Sequence, residues 1–207
     1  MSSYAITGAS KGLGLEFSRQ LAANPANTVL AIVRDRQSQR IAKLASEHPN
    51  LHLIEADVGD PQSILNASKV ASTITDGKLD VLIHNSNAVD METMAYSPSQ
   101  FPFDAEAVRA TFELPIRVAI YGGLWTTNSF LPLIERGTQK KIIHISSGMA
   151  DLDLIKNTGI SYALPYSVAK AGINVQVAKY AAELAPKDIK VLAISPGWVD
   201  TFDGKTF

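Results

Sequence analysis

The chain has 207 residues, a formal net charge of −1 and no cysteine. Hydrophobic residues make up 46% and charged residues 19%, which is typical of a globular domain with a sizeable core rather than a disordered chain. The near-neutral charge argues against nucleic acid or an anionic membrane as a partner, and the lack of cysteine excludes disulfides and thiol chemistry.

Strand-like and helical patterns alternate along the chain. Short apolar runs predict strands at 4–7, 28–33, 51–55, 81–84, 142–146 and 190–195. Apolar residues at helical spacing predict helices at 12–23, 38–47, 63–75, 105–134 and 166–185. Pro115 falls inside the longest of these, and we expect it to kink or break that helix.

The alternation of strands and helices predicts right-handed βαβ units. The fold class is therefore α/β, a doubly wound Rossmann domain with a parallel sheet of about six strands. No repeat, low-complexity tract or linker interrupts the pattern, so we expect residues 1–207 to form one domain. Folds of this kind bind ligands at the carboxyl ends of the strands, at the point where the strand order reverses.

A glycine-rich segment follows the first predicted strand. Its glycines form a G-x-x-x-G-x-G pattern where a strand passes into a helix. Glycine lets the backbone turn sharply and approach a pyrophosphate, which then binds at the helix N-terminus. An ordinary glycine-rich turn is the alternative, and the lack of a Gly-Lys-Ser/Thr ending excludes a P-loop. The residues expected to bind a nucleotide here are Gly8, Ser10, Lys11, Gly12, Leu13 and Gly14.

Tyr166 and Lys170 are four residues apart at the start of a predicted helix. Their side chains therefore lie on one face, about one turn apart. A phenol is a weak acid at neutral pH, and an ammonium group nearby favours its ionised form, which suits acid–base chemistry. Ser147, just after the fifth predicted strand, can hold a substrate carbonyl beside the phenol. Most isolated pairs of this kind are surface features, so the pair alone is a weak signal.

Taken together, the motifs from Thr7 to Thr201 resemble the short-chain dehydrogenase/reductase family. Besides the glycine loop and the Tyr166–Lys170 pair, the matching segments are Asp57-Val58, His84-Asn85-Ser86-Asn87 in place of Asn-Asn-Ala-Gly, Ser147, and Pro196-Gly197 followed by Thr201. The stretch 146–154 is also similar to fungal members of the family. The resemblance implies an oxidoreductase that interconverts a ketone or aldehyde and an alcohol by hydride transfer.

The resemblance also implies roles for individual residues. Tyr166 is the general acid/base, Lys170 assists it and holds the nicotinamide ribose, and Ser147 orients the carbonyl, with Ser146 as its rival. The remaining contacts implied for the cofactor are made by Asp57, Val58, Asn85, Pro196, Gly197, Val199 and Thr201. For Asp57, a helix cap or a turn is the alternative role.

The end of the second predicted strand bears on the choice of cofactor. In doubly wound folds an acidic residue there binds the ribose of NAD, whereas a nearby arginine accepts the 2′-phosphate of NADP. Val33 is followed directly by Arg34, with Lys11 as a second cation close by. Arginine can bind a phosphate through two hydrogen bonds, so the sequence favours NADP(H) over NAD(H). Asp35 turning inward is the alternative.

Three features depart from the family pattern. Ala119 stands where the family has an asparagine that anchors a water. A longer segment than usual separates Ser147 from Tyr166, and we expect a loop at 151–160, either a wall that selects substrate or a plain surface insertion. The sequence also ends at Phe207, before the substrate lid and seventh strand that the resemblance implies, and a natural short form, a fragment and unobserved residues all stay open.

Two functions are favoured by the sequence; a third, a non-redox lyase or isomerase on the same scaffold, has no specific residue in its support. The first is an NADP(H)-dependent reductase or dehydrogenase of a small-molecule carbonyl or alcohol, and the second is a nucleotide-binding protein with little or no turnover, which Ala119 favours. By resemblance the chain forms a homodimer or homotetramer. The four histidines lack metal-ligand spacing, so no metal is expected, and His84 is expected to be a packed residue. No signal peptide or apolar run of about 20 residues is visible, which favours a cytoplasmic protein without a membrane partner.

Overall fold

A computed structural model describes residues 1–199, so the predicted contact of Thr201 lies outside the described residues. The strands are β1 (Ser3–Thr7), β2 (Thr28–Val33), β3 (Leu51–Glu55), β4 (Val81–His84), β5 (Lys141–Ile145) and β6 (Lys190–Ile194). The helices are α1 (Gly12–Ala22), α2 (Gln39–Glu47), α3 (Pro61–Ile74), α4 (Ala105–Ile116), α5 (Gly122–Arg136), α6 (Leu152–Thr158) and α7 (Leu164–Leu184). No helix within residues 1–199 is long and apolar enough to cross a membrane.

The six strands form one parallel sheet in the order β3-β2-β1-β4-β5-β6. This confirms the predicted doubly wound α/β fold and its number of strands. The order reverses between β1 and β4, which are direct neighbours in the sheet. The carboxyl ends of these two strands are therefore the expected position of a ligand.

Successive residues of a strand point to opposite faces of the sheet, and from β3 to β5 both faces are packed against helices, whereas β6 stays largely exposed. Ala5, Leu30 and Leu82 belong to one core, which α3, α5 and α7 complete. Ile6, Ala31 and Ile83 belong to the other core, on the side of α1 and α2. This two-sided burial explains why the strands are apolar at nearly every position.

Pro115 lies inside the long helical region without breaking it. The backbone stays in the right-handed helical conformation at Ile116, Arg117 and Tyr121, and a π-helical turn spans Arg117–Tyr121 between α4 and α5. The helix is therefore not broken at Pro115, and its regular α-helical pattern is interrupted by a π turn just beyond it. Proline removes one backbone donor, and a π turn widens the helix locally so that the helical path continues past it.

The segment after β5 also differs from the prediction. Instead of a loop, it contains the short helix α6, whose start is capped by Asp151. The carboxylate of Asp151 accepts hydrogen bonds from Asp153 N (2.9 Å) and Leu154 N (3.0 Å). Gly159 ends the helix in the left-handed conformation, with φ of 70°. The helix forms because both of its ends carry suitable cap residues, although it has only about two turns.

Asp80 joins three segments at the amino-terminal end of the sheet. Its carboxylate accepts hydrogen bonds from Ser3 N (2.8 Å), Thr138 N (2.8 Å) and Gln139 N (3.2 Å). Burial would raise the pKa of Asp80, but these bonds and that of the Thr138 hydroxyl outweigh it and lower the pKa to about 2. The charged carboxylate thus joins the start of β1 to the segments just before β4 and β5.

Candidate active site

The glycine loop lies at the carboxyl end of β1, where the strand order reverses. Gly8 adopts a φ of +67°, and a Cβ on it would meet Ser86 Cα at 3.0 Å. A Cβ on Gly14 would lie 2.3 Å from the carbonyl oxygen of Gly8. Side chains are therefore excluded at both positions, as expected for a backbone that folds back closely on itself.

The end of β4 holds this loop in place. The Asn85 side chain donates to the carbonyl oxygens of Thr7 and Gly8, both at 3.2 Å. The backbone N–H groups of Asn85 and Ser86 both donate to Thr7 Oγ1, at 3.1 Å each. Asn85 therefore acts on the glycine loop itself, and its predicted contact with a cofactor stays a prediction.

The start of α1 fits an anion. Lys11 precedes the helix, and no side chain caps the first backbone N–H groups at Gly12, Leu13 and Gly14. Uncapped N–H groups and the helix dipole together attract phosphate. The residues of the loop and of the helix start therefore suit a pyrophosphate group.

The end of β2 presents cationic side chains to solvent. Arg34 and Lys11 are both exposed, and neither forms an ion pair or side-chain hydrogen bond within residues 1–199. Asp35 does not turn inward, because its carboxylate accepts from Gln37 N at 2.8 Å within the following turn. The end of β2 therefore offers positive charge and keeps its one adjacent carboxylate occupied.

Asp57 and Val58 follow β3. Asp57 Oδ1 accepts from Gly59 N (2.8 Å), so this carboxylate shapes a turn, as the alternative for Asp57 anticipated. The cap of α3 is Asp60, which accepts from Gln62 N at 2.9 Å. Val58 is buried and packs against α5, since a Cβ on Gly122 would meet its carbonyl oxygen at 3.0 Å. The adenine contacts expected of both residues stay predictions.

Tyr166 and Lys170 lie together on the first turns of α7. The Lys170 ammonium is 5.7 Å from the centre of the Tyr166 ring and donates to the carbonyl oxygen of Ile145 at 2.7 Å. Lys170 is only 2% exposed, and this burial lowers its pKa to about 8. The structure thus brings the predicted pair to the end of β5.

The two serines after β5 have different environments. Ser146 is buried, and its hydroxyl donates to Asn174 Oδ1 at 2.7 Å. Ser147 is partly exposed, and its oxygen accepts from Met149 N at 3.2 Å, so its hydroxyl hydrogen is available to a carbonyl. This difference favours Ser147 over Ser146 as the residue that orients a substrate.

Helix α6 lies beside these serines. A Cβ on Gly148 would be 2.9 Å from Leu154 Cδ2, so α6 packs directly on the turn after Ser147. Leu152 and Leu154 remain largely exposed, as does Trp198 on the loop after β6. Of these apolar side chains, Leu154 lies beside the turn that follows Ser147.

The loop after β6 carries the other predicted contacts. Gly197 adopts a φ of +75°, which suits the glycine predicted between Pro196 and Trp198. Val199, the last described residue, is partly exposed. The structure places this loop at the carboxyl end of β6, on the same edge of the sheet as Ser147.

A buried polar group behind this edge was not predicted from the sequence. His84 and His144 are register partners on β4 and β5, and their ring centres are 5.2 Å apart. Burial, the neighbouring His144 and Lys170 lower the pKa of His84 well below its usual value. Burial and Lys170 lower the pKa of His144 to about 4. Both rings are therefore neutral near pH 7, and His84 is a packed residue as expected.

Ala119 lies in the π turn and is fully buried in the main core. Its methyl group offers no hydrogen bond. The neighbouring carbonyl oxygen of Ile120 accepts instead from Gln176 Nε2 at 2.9 Å, across from α7. A polar side chain therefore does reach this turn, from a residue that the sequence motifs did not single out.

Comparison with known proteins gives a consistent result. The family model described as short chain dehydrogenase matches residues 3–206. A short-chain dehydrogenase/reductase of Arthrinium sp is 40% identical over 201 residues, which cover 97% of this chain and 76% of that protein. One of Aspergillus aculeatus is 41% identical over 204 residues, 98% of this chain and 76% of that protein. The crystal structure of NADPH-bound carbonyl reductase from chicken fatty liver superposes with a TM-score of 0.85 at 28% identity, covering 100% of this chain and 83% of that one.

Proposed function

This chain belongs to the short-chain dehydrogenase family, and from that premise we propose that it interconverts a ketone or aldehyde and an alcohol with NADP(H). The observation that carries the proposal is the buried ammonium of Lys170 beside Tyr166. Burying a charge costs free energy, so such a group is more frequent in functional sites than in purely structural positions. The NADPH-bound carbonyl reductase among the structural relatives also supports it.

The proposed chemistry assigns one task to each side chain. NADPH, when bound, supplies the hydride. Tyr166 donates a proton to the carbonyl oxygen as negative charge develops on it, and Ser147 donates a hydrogen bond to the same oxygen. Within the described residues, Lys170 donates one of its three N–H groups to the carbonyl oxygen of Ile145, which leaves two for the nicotinamide ribose and Tyr166.

The preference for NADP(H) rests on the end of β2. Arg34 and Lys11 are exposed cations there, and Asp35 is held by its own turn. A 2′-phosphate would gain charge-assisted hydrogen bonds from Arg34, whereas the adjacent carboxylate of Asp35 is directed into the following turn. The pyrophosphate would bind at the uncapped start of α1.

The proposed site is part of a single nucleotide-binding domain over residues 1–207, in a cytoplasmic protein that forms a homodimer or homotetramer. Its substrate would be a small molecule with an apolar portion, since Leu154 lies beside the turn after Ser147, and Leu152 and Trp198 expose apolar surface on the segments that follow β5 and β6.

A second candidate function has one observation in its favour. Ala119 carries no polar group at the position where the family holds a water, so the chain could bind nucleotide with little or no turnover. Titration of the chain with NADPH and with NADH, followed by a turnover assay on simple aldehydes and ketones, separates the two. NADPH binding with turnover supports the reductase, and NADPH binding without turnover supports the second function. Failure of both nucleotides to bind would rule out both.

A further inference from the structure

A cluster of buried polar side chains lies behind the candidate active site, contributed by β4, β5, α5 and α7. Four buried side-chain atoms of the described residues have no hydrogen-bond partner: His84 Nε2, Thr126 Oγ1, His144 Nδ1 and Gln176 Oε1. Buried polar atoms in proteins are nearly always satisfied by protein or by ordered water. Three of these atoms, on His84, His144 and Gln176, come from neighbouring elements and therefore point to a common partner.

The proton position on His84 follows from Thr7. The hydroxyl oxygen of Thr7 accepts hydrogen bonds from the backbone N–H groups of Asn85 and Ser86, which occupy both of its lone pairs. Its hydrogen is thus left to donate to His84 Nδ1, 3.3 Å away. Because the His84 ring is neutral, the ring proton must be on Nε2, and this N–H is a buried donor without a partner.

The unpartnered atoms converge beside Gly123. The position that a Cβ on Gly123 would occupy is 3.2 Å from Gln176 Oε1 and 3.6 Å from His84 Nε2. It is also 3.6 Å from His144 Cε1, the ring carbon bonded to the unpartnered Nδ1. Gln176 cannot turn its donor toward this point, since Nε2 is bonded to Ile120 O, so its oxygen is an acceptor here. The point beside Gly123 thus lies between a donor and at least one acceptor.

We propose that one water molecule is bound beside Gly123, accepting from His84 Nε2–H and donating to Gln176 Oε1 and His144 Nδ1. Three polar partners are the usual number for a buried water. A metal ion is a poor alternative, because no group of three His, Cys, Asp or Glu side chains within residues 1–199 could hold one. The Lys170 ammonium, close enough to lower the pKa of both rings, would also repel a cation.

The water fixes the second histidine as well. If His144 Nδ1 accepts from the water, the proton of its neutral ring is on Nε2, where it donates to Thr127 Oγ1 at 3.3 Å. The proposal thus requires the Nε2–H tautomer on both histidines. It also completes a hydrogen-bond chain from the glycine loop at Thr7 to the π turn at Ile120, so that the water acts as a positioning element between them.

The proposal does not depend on catalytic turnover, and its test is structural. Long-range ¹H–¹⁵N spectra of the histidine-labelled wild-type protein at pH 7 should show the Nε2–H tautomer for both His84 and His144. The Nε2 proton of His84 should give an exchange or Overhauser cross-peak to water. A crystal structure should show density for one water between His84 and Gln176.

Gly123→Ala is the decisive variant, since its methyl group would project toward Gln176 Oε1 and His84 Nε2 and overlap a water bound to both. It should lose both the cross-peak and the density. Gly122→Ala is the matched control, because a methyl group there faces Val58 rather than the histidines, and both signals should persist. Any of three results for the wild-type protein would overturn the proposal: an Nδ1–H tautomer on His84, a direct hydrogen bond from His84 to Gln176, or no density for a water between these residues. The wild-type measurements decide the matter even if a variant fails to fold.

Discussion

His84 and His144 face each other across neighbouring parallel strands, with ring centres 5.2 Å apart and almost no exposure to solvent. Protonation of either ring is unfavourable, because burial disfavours the imidazolium form and the Lys170 ammonium repels it. The core beneath the active site therefore contains two imidazoles that are held neutral.

Stability should fall in mild acid because of this pair. The pKa of His144 is lowered from 6.5 to about 4 in the folded protein, and that of His84 is also lowered. Between these two pH values the unfolded chain binds protons that the folded protein does not. The free energy of unfolding should thus decrease as the pH drops from 6.5 toward 4, by up to about 1.4 kcal/mol per pH unit for each histidine. Urea unfolding followed at several pH values measures this slope.

A variant assigns the slope to the histidines. His144→Asn should reduce the slope of the unfolding free energy against pH by the contribution of one proton, about 1.4 kcal/mol per pH unit at most. Asp80 contributes in a lower range, because its pKa falls from 3.8 to about 2 and its stabilisation is lost only as the pH falls through that interval. A wild-type stability that stays constant from pH 6.5 to 4.5 would contradict the neutral histidine pair.

Removal of the Tyr166 hydroxyl should abolish most of the proposed activity. Tyr166→Phe should lower kcat for carbonyl reduction by about 10²- to 10⁴-fold, the usual contribution of a general acid. NADPH affinity should change little, since the ring and Lys170 remain. Tyr162→Phe removes an exposed hydroxyl just before α7 and serves as the control, with wild-type kcat expected. Equal kcat in wild type and Tyr166→Phe would eliminate Tyr166 as the acid.

Arg34 should decide between the two nicotinamide cofactors. Arg34→Ala should weaken NADPH binding by about 10- to 100-fold, the value of a charge-assisted hydrogen bond to phosphate, and leave NADH binding unchanged. Fluorescence titration measures both affinities. Arg36→Ala removes an exposed cation two residues away and should have little effect on either nucleotide. A similar loss for NADH and NADPH would show that Arg34 does not read the 2′-phosphate.

The two serines after β5 should respond differently to substitution. Ser147→Ala removes a donor to the substrate carbonyl and should reduce kcat by about 10²-fold with little change in thermal stability. Ser146→Ala leaves Asn174 without its buried partner and should destabilise the fold by about 1–3 kcal/mol while turnover persists. Parallel measurement of kcat and melting temperature tests this division. The reverse pattern would assign the catalytic role to Ser146.

Helix α6 should matter for substrate binding rather than for the cofactor. Asp151→Ala removes the cap of this helix and should destabilise it by about 1 kcal/mol, so KM for a bulky apolar carbonyl should rise roughly fivefold. NADPH affinity should stay the same. Asp153→Ala changes an exposed carboxylate on the same helix and should leave KM near the wild-type value. An unchanged KM in Asp151→Ala would identify the segment as a surface insertion.

The bounds of most elements were predictable because their signals are local. β2, β3 and β4 occupy the predicted residues, since short apolar runs between turn residues define strands well. α7 begins two residues earlier than predicted, at Leu164, because Pro165 suits the first turn of a helix. α6 was missed because seven residues are too few for a helical period, although Asp151 and Gly159 are suitable caps at its ends.

The parts of the site that depend on pairing between distant segments were not predictable. The contact of His84 with His144 follows from the register of β4 and β5, which a single sequence does not reveal. The bond from Gln176 to Ile120 depends on the π turn, which forms because the helix passes Pro115 instead of ending there. Tyr166 and Lys170, in contrast, were found because one helical turn separates them in the chain itself.

The hydrogen bonds of Asp80 and the proposed active site lie at opposite ends of the same short strands. β4 begins just after Asp80 and ends at His84, so about 13 Å of strand separates Asp80 from the edge of the sheet that carries the proposed active site. Effects of substitutions at such distances usually add without coupling. The loops around Ser147 and α6 can therefore be redesigned for new substrates while stabilising changes are introduced at the amino-terminal end, and the two sets of changes can be optimised in separate libraries and then combined.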